Sequence, residues 1–126
     1  MEKIIDEAIK QAAAGELNFL GFVKLLETAD VHCYTTDLET HKVVYYAGTK
    51  SVTREFPIPG VLEISGRFSE AYIKEAITAV QLKKINYLEF LKRIAHAGVE
   101  TYEVDFKAKK ITYRGRRKFY VEDFAL

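Results

Sequence analysis

The chain contains one cysteine, two prolines, one methionine and no tryptophan. A lone Cys33 excludes an internal disulfide and any zinc or iron–sulfur site built from several cysteines. No apolar run approaches the ~18 residues that a membrane-spanning helix needs. No signal-peptide pattern opens the sequence, which passes from Met1-Glu2-Lys3 straight into an amphipathic stretch. Neither sign of charge dominates: 19 Lys and Arg stand against 18 Asp and Glu, a formal net charge of +1. The total therefore makes no general case for a nucleic-acid or membrane binder. Phosphate-cradling glycine motifs are missing, and the three histidines, His32, His41 and His96, have no i, i+4 pair. These absences point to a soluble cytoplasmic protein with no catalytic residue, metal site or cofactor to assign. What remains is an ordinary globular balance, 48% apolar and 29% charged over 126 residues, the size of one domain.

The strongest positive signal is an internal repeat. Residues 5–45 align without gaps on 73–113, an offset of 68, with 14 identical pairs. The identities include polar residues in register: Asn18 with Asn86, Lys24 with Lys92, Asp37 with Asp105 and Lys42 with Lys110. Two copies, about 5–58 and 73–126, joined by 59–72, are expected to share one domain, 1–126, about a pseudo-twofold axis. Each copy opens with an amphipathic helix, Ile4-Ile5-Ala8-Ile9 in the first and Ile73-Ala76-Ile77-Val80 in the second, the latter capped by Ser69. A second helix follows Asn18 and Asn86 as N-caps, with Glu89 completing a capping box in the second copy. Asp30 and Gly98 occupy the left-handed position that ends a helix.

A β-hairpin comes next. With turns at Glu39-Thr40 and Lys107-Ala108, Tyr34 faces Tyr45 and Asp37 faces Lys42. Equivalently, Tyr102 faces Tyr113 and Asp105 faces Lys110. Cross-strand pairs of these types contribute about 0.2–1 kcal/mol each, which is a structural reason for the shared residues. A four-residue loop preserves the same pairing. Alternation buries the tyrosine face, while Val31, Cys33, Val44 and Tyr46 fall on the outer face of the first copy. Third strands are expected at Ser51–Phe56 and Lys118–Phe124, with Pro57–Gly60 as turn or linker and a further short strand at 61–65. The fold class is thus α+β: an ααβββ unit written twice, with four amphipathic helices over an antiparallel sheet.

The stretch Ala97-Gly98-Val99, followed by Tyr102, Asp105, Tyr113 and Gly115, resembles the YdfO/YbcV-like proteins, small bacterial and prophage-encoded proteins sometimes labelled "phage envelope protein". The resemblance covers most of the chain. It implies a bacterial or phage origin, an intracellular setting and an uncharacterised role, with no catalytic residue to carry over.

Chemistry has few places to reside. His32 and Cys33 are adjacent on an extended segment and point to opposite faces, so they do not form a nucleophile and base. Asp37 and Asp105 have lysine partners that account for them structurally. Tyr34, Tyr45, Tyr102 and Tyr113 either fill the core or wall a small-molecule pocket. Charge is unevenly divided: residues 1–63 carry 6 basic and 10 acidic groups, and residues 64–126 carry 13 and 8. Lys107, Lys109, Lys110, Arg114, Arg116, Arg117 and Lys118 form a basic run without an acid. Such a ribbon suits nucleic-acid phosphates, a protein partner, or the acidic half of a second copy in a homodimer. It equally suits a solvated sheet edge. A non-enzymatic binding or interaction module is the leading expectation. The alternatives are a nucleic-acid accessory protein and a tyrosine-lined ligand domain.

Overall fold

A computed structural model describes residues 1–56 and 62–124. Its order is α1 (Glu2–Ala13), α2 (Phe19–Glu27), β1 (Cys33–Asp37), β2 (Lys42–Ala47), β3 (Lys50–Glu55), α3 (Glu70–Gln81), α4 (Tyr87–His96), β4 (Thr101–Asp105), β5 (Lys110–Arg114) and β6 (Phe119–Asp123). The strands form one antiparallel sheet in the order β3-β2-β1-β4-β5-β6.

The helix boundaries follow from capping chemistry. Asn18 and Asn86 each accept a hydrogen bond from the amide three residues on, Gly21 and Glu89, at 2.8 Å. Ser69 accepts from Tyr72 N at 3.3 Å and starts α3. At the other ends, Asp30 and Gly98 have φ of 63° and 91°, the left-handed geometry expected of them.

Every pairing of the first hairpin recurs 68 residues later. Tyr34 faces Tyr45 and Tyr102 faces Tyr113; Asp37 faces Lys42 and Asp105 faces Lys110. The third strands keep the same register, Tyr45 with Val52 and Tyr113 with Tyr120. Between the halves, Thr35 of β1 faces Glu103 of β4. Those two residues are themselves 68 apart, so the pairing pattern is two-fold symmetric about that pair. Leu38 N bonding to Glu100 O and Phe106 N bonding to His32 O extend the central ladder equally at both ends.

Of the two hairpin connections the sequence allows, both loops take the four-residue form, with His41 and Lys109 at positive φ of 63° and 56°. Three details depart from the sequence expectations. The aspartates that start these loops use their carboxylates on backbone: Asp37 accepts from Glu39 N and Thr40 N, and Asp105 from Lys107 N and Ala108 N. This is the Asx-turn chemistry that a short carboxylate favours, so the facing lysines are not its ion-pair partners. Residues 62–65 form no strand, and Val61 and the turn 57–60 lie outside the described residues. Val31 is buried at the end of α2 instead of lying on the outer face, because its amide closes back on Leu26 O.

All four helices lie on one face of the sheet. Arg54 of β3 reaches Asp6 and Glu2 of α1 (2.7 and 2.8 Å). Phe22 of α2 meets Tyr34, Phe90 of α4 meets Tyr113, and Lys74 of α3 lies over Tyr120. Between the layers, Ile5, Val23, Leu26, Ile73, Leu91 and Ile94 are almost entirely removed from water. Each such side chain contributes about 1.5–3 kcal/mol through burial. The opposite face of the sheet is open, with Thr35, Val44, Tyr46, Glu103, Thr112, Arg114, Phe119 and Val121 along it.

Candidate binding surface

The four symmetry-related tyrosines lie under the helices, all at most 5% exposed. Their rings touch: Tyr34–Tyr45 at 5.6 Å, Tyr34–Tyr102 at 6.5 Å and Tyr102–Tyr113 at 5.9 Å between centroids. The Tyr102 hydroxyl meets that of Tyr87, which reaches in from the start of α4, and the Tyr113 hydroxyl donates to Glu122 at 2.8 Å. Burial pushes the phenols of Tyr34, Tyr45, Tyr102 and Tyr113 up from their ordinary range, so they remain protonated. Desolvation likewise raises Glu122, opposed by the Tyr113 hydrogen bond.

Cys33 lies on the open face, where its Sγ donates to Glu103 Oε1 at 3.4 Å. Burial, then the Glu103 carboxylate, pushes the thiol up to about 12. A thiol held protonated in this way is a poor nucleophile and a poor metal ligand. His41 is stacked on Phe56 at the far side of the hairpin loop. Among the described residues no cluster of three His, Cys, Asp or Glu side chains could hold a metal ion, and no helix is long and apolar enough to cross a membrane.

The basic run does not stay together. Strand β5 separates its ends by roughly 16 Å, at about 3.3 Å per residue. Lys107 and Lys109 stand in the β4–β5 loop, while Arg116, Arg117 and Lys118 form the turn between β5 and β6 at the opposite end. Lys110 is ion-paired to Asp123 (2.5 Å), and Arg114 lies 3.9 Å from Glu103. Arg116, Arg117 and Lys118 are exposed, and among the described residues no carboxylate comes within 4.0 Å of them. Arg67, exposed in the segment before α3, is in the same condition.

This corner also presents aromatic surface that reading the run by charge overlooks. Phe119 is 62% exposed on the open face, with the Arg114 guanidinium 6.0 Å from its ring centre. Phe68 is wedged between the two glycines of the second half. A Cβ on Gly98 would fall 2.7 Å from Arg67 O, and one on Gly115 would fall 2.6 Å from the Phe68 ring. The motif glycines thus seat the segment that carries Arg67 and Phe68. Phe68, Glu70, Arg117, Lys118 and Phe119 line an open depression of about 350 Å³. Alternation along β6 was the signal that would have turned Phe119 outward. Phe68 precedes the repeat and had no counterpart to draw attention to it.

A two-layer α+β domain of this kind, with a basic and aromatic corner, defines a class by shape alone. The family model of DUF1398, proteins of unknown function, matches residues 57–122, and the chain belongs to that family. The match takes in α3, α4, β4, β5 and most of β6, the half that carries the basic corner. No curated protein matches the sequence.

Proposed function

We propose that the protein is a non-enzymatic binding module that makes its contact through the corner formed by Arg114, Arg116, Arg117, Lys118 and Phe119. The observation that carries this reading is that Arg116, Arg117 and Lys118 are exposed with no carboxylate within 4.0 Å among the described residues, beside an exposed aromatic ring. Other cations of the fold are paired, Arg54 by two carboxylates and Lys74 and Arg93 each by a glutamate one helical turn away; what distinguishes the corner is three consecutive cations, Arg116, Arg117 and Lys118, beside an exposed ring. A surface that leaves several like charges together pays a repulsion that an anionic partner relieves. The role is set in the cytoplasm of a bacterium or prophage host, in line with the YdfO/YbcV-like resemblance. A ligand among Tyr34, Tyr45, Tyr102 and Tyr113 would have to part rings that touch, and the present reading does not need one.

Retention on a heparin matrix tests the proposal. Wild type is expected to bind at low salt. Arg116→Glu with Arg117→Glu abolishes retention, whereas Lys107→Glu with Lys109→Glu, an equal change of charge at the other end of β5, largely preserves it. Equal loss in both double variants, or no retention of wild type, overturns the reading. A homodimer through the acidic and basic halves is the competing occupant of this corner. A doubled mass in sedimentation at low salt, removed by the Arg116/Arg117 reversal, would favour it over a separate anionic partner.

A further inference from the structure

We infer that the partner of this corner is single-stranded nucleic acid, with Phe119 stacking on an unpaired base and Arg116, Arg117 and Lys118 meeting the phosphates on either side. The inference rests on the binding reading above and adds the chemistry of the partner. Three features favour it over an acidic protein segment. First, an acidic peptide needs only charge, while the corner also offers a flat apolar ring that is 62% exposed. The fold does not require an aromatic there, because Ser51 fills the equivalent place in the first half with the same strand pairing. Second, the Arg114 guanidinium lies 6.0 Å from that ring, so the platform combines π surface with positive charge, the pairing that holds bases and backbone together in sequence-tolerant binders. Third, the depression beside Phe119 is about 350 Å³, the scale of one small ligand group, and two aromatic rings, Phe68 and Phe119, help to wall it.

The same geometry disfavours a duplex. A base paired and stacked inside a helix cannot offer its face to Phe119, and Arg116, Arg117 and Lys118, the exposed and unpaired cations of this corner, occupy one turn instead of a stripe matched to a groove. Glu70 lies at the depression and is 3.4 Å from Lys74. Its carboxylate would repel a phosphate, so phosphate contacts fall on the Arg116–Lys118 side and the base lies toward Phe119. Three phosphates neutralised by three cations predict a salt slope of roughly −2, at about −0.7 per phosphate for a single strand.

Fluorescence anisotropy with a dye-labelled oligothymidylate of about 12 nucleotides, a duplex hairpin of equal phosphate count and a polyglutamate competitor decides the matter. Wild type is expected to bind the single strand at least several-fold more tightly than the duplex, and polyglutamate is expected to compete poorly. Phe119→Ala should weaken single-strand binding by about tenfold without changing the salt slope, and Phe119→Trp should retain it. Arg116→Glu with Arg117→Glu should lower affinity and flatten the slope. Equal affinity for the duplex, an unaffected Phe119→Ala, or polyglutamate competing charge for charge overturns the inference while leaving the binding module standing. Failure to bind any of the three polyanions overturns both.

Discussion

The two turns that join the second and third strands of each half occupy equivalent places on one sheet and differ in nearly every side chain. In the first half the turn runs Gly48-Thr49 into Lys50; in the second it runs Arg116-Arg117 into Lys118. Behind them Ala47 corresponds to Gly115, and ahead Ser51 corresponds to Phe119. The strand register on both sides is the same. The turns themselves differ in backbone, since Gly48 has φ of 62° and neither Arg116 nor Arg117 has positive φ, but the flanking register is shared and accepts Ser51 or Phe119 alike, so the phenylalanine is not demanded by the strand pairing. Where equivalent positions agree, as in the four buried tyrosines, packing explains the agreement. Where they diverge toward unpaired charge and exposed aromatic surface, packing explains nothing, and a contact beyond the chain is the economical account.

The sharpest difference between the halves lies behind those turns. Gly98 has φ of 91° and lies under Arg67 and Phe68, while Asp30, its equivalent, has φ of 63° and is exposed just past the end of α2. Gly98→Ala places a Cβ 2.7 Å from one backbone atom and 2.8 Å from another. It should cost about 3 kcal/mol or more, since left-handed strain and a backbone clash combine. Asp30→Ala faces the strain alone, about 1 kcal/mol. Urea unfolding of both variants measures the gap. Equal losses would mean that the 62–69 segment is not seated on the second half.

Much of this frame was legible from sequence because an offset is covalent information. Once the turn of one hairpin is placed, its facing pairs follow from a constant sum, and the offset carries them to the other hairpin; the capping residues Asn18, Asn86 and Ser69 announce helix starts through their own hydrogen bonds. Less was legible where two roles compete for one side chain. Asp37 and Asp105 face lysines, yet their carboxylates close the loop backbone, because two amides are presented within the same turn. The basic run misled in another way. Seven cations close in sequence are divided by one strand, and Lys110 and Arg114 lie beside carboxylates that arrive from β6 and β4. Only the three-dimensional neighbours show which charges stay free.

A smaller contrast concerns pH. Arg54 and Glu122 hold equivalent places on the edge strands, and both reach toward the helix layer, with opposite signs. The Arg54 guanidinium, by hydrogen bond and then by charge, lowers the Asp6 carboxyl below its usual range. Stability from that contact is present above the unfolded carboxyl's range and is lost as pH falls through the lowered value. Glu122 is raised by burial, so its protonated form suits the fold; its contribution is present in acid and is lost as pH rises through the raised value. Melting temperature followed from about pH 3 to pH 7, the span of carboxylate titration, should therefore respond oppositely to two substitutions. Asp6→Asn should remove part of the acid-side loss. Glu122→Gln, which keeps an acceptor for the Tyr113 hydroxyl, should raise the neutral limb relative to the acid limb. Parallel responses would show that the two edges are not electrostatic opposites.

The least change in stability, and the most pointed use of the comparison, comes from exchanging the turns. Replacing Arg116-Arg117 by Gly-Thr, the residues of the first half, alters exposed positions that make no ion pair among the described residues, so the unfolding free energy should move by no more than about 0.5 kcal/mol. Polyanion binding should nevertheless disappear. The reverse exchange, Gly48-Thr49 to Arg-Arg, costs more, because Gly48 holds φ of 62° where a side chain is strained. It also supplies charge without a platform, since Ser51 stands where the second half has Phe119. In a background lacking Arg116 and Arg117, that variant should regain retention on heparin and still fail to prefer a single strand over a duplex. Adding Ser51→Phe should restore part of the preference. If charge alone restores it, the aromatic ring is incidental, and the contrast between the corners reduces to one of charge.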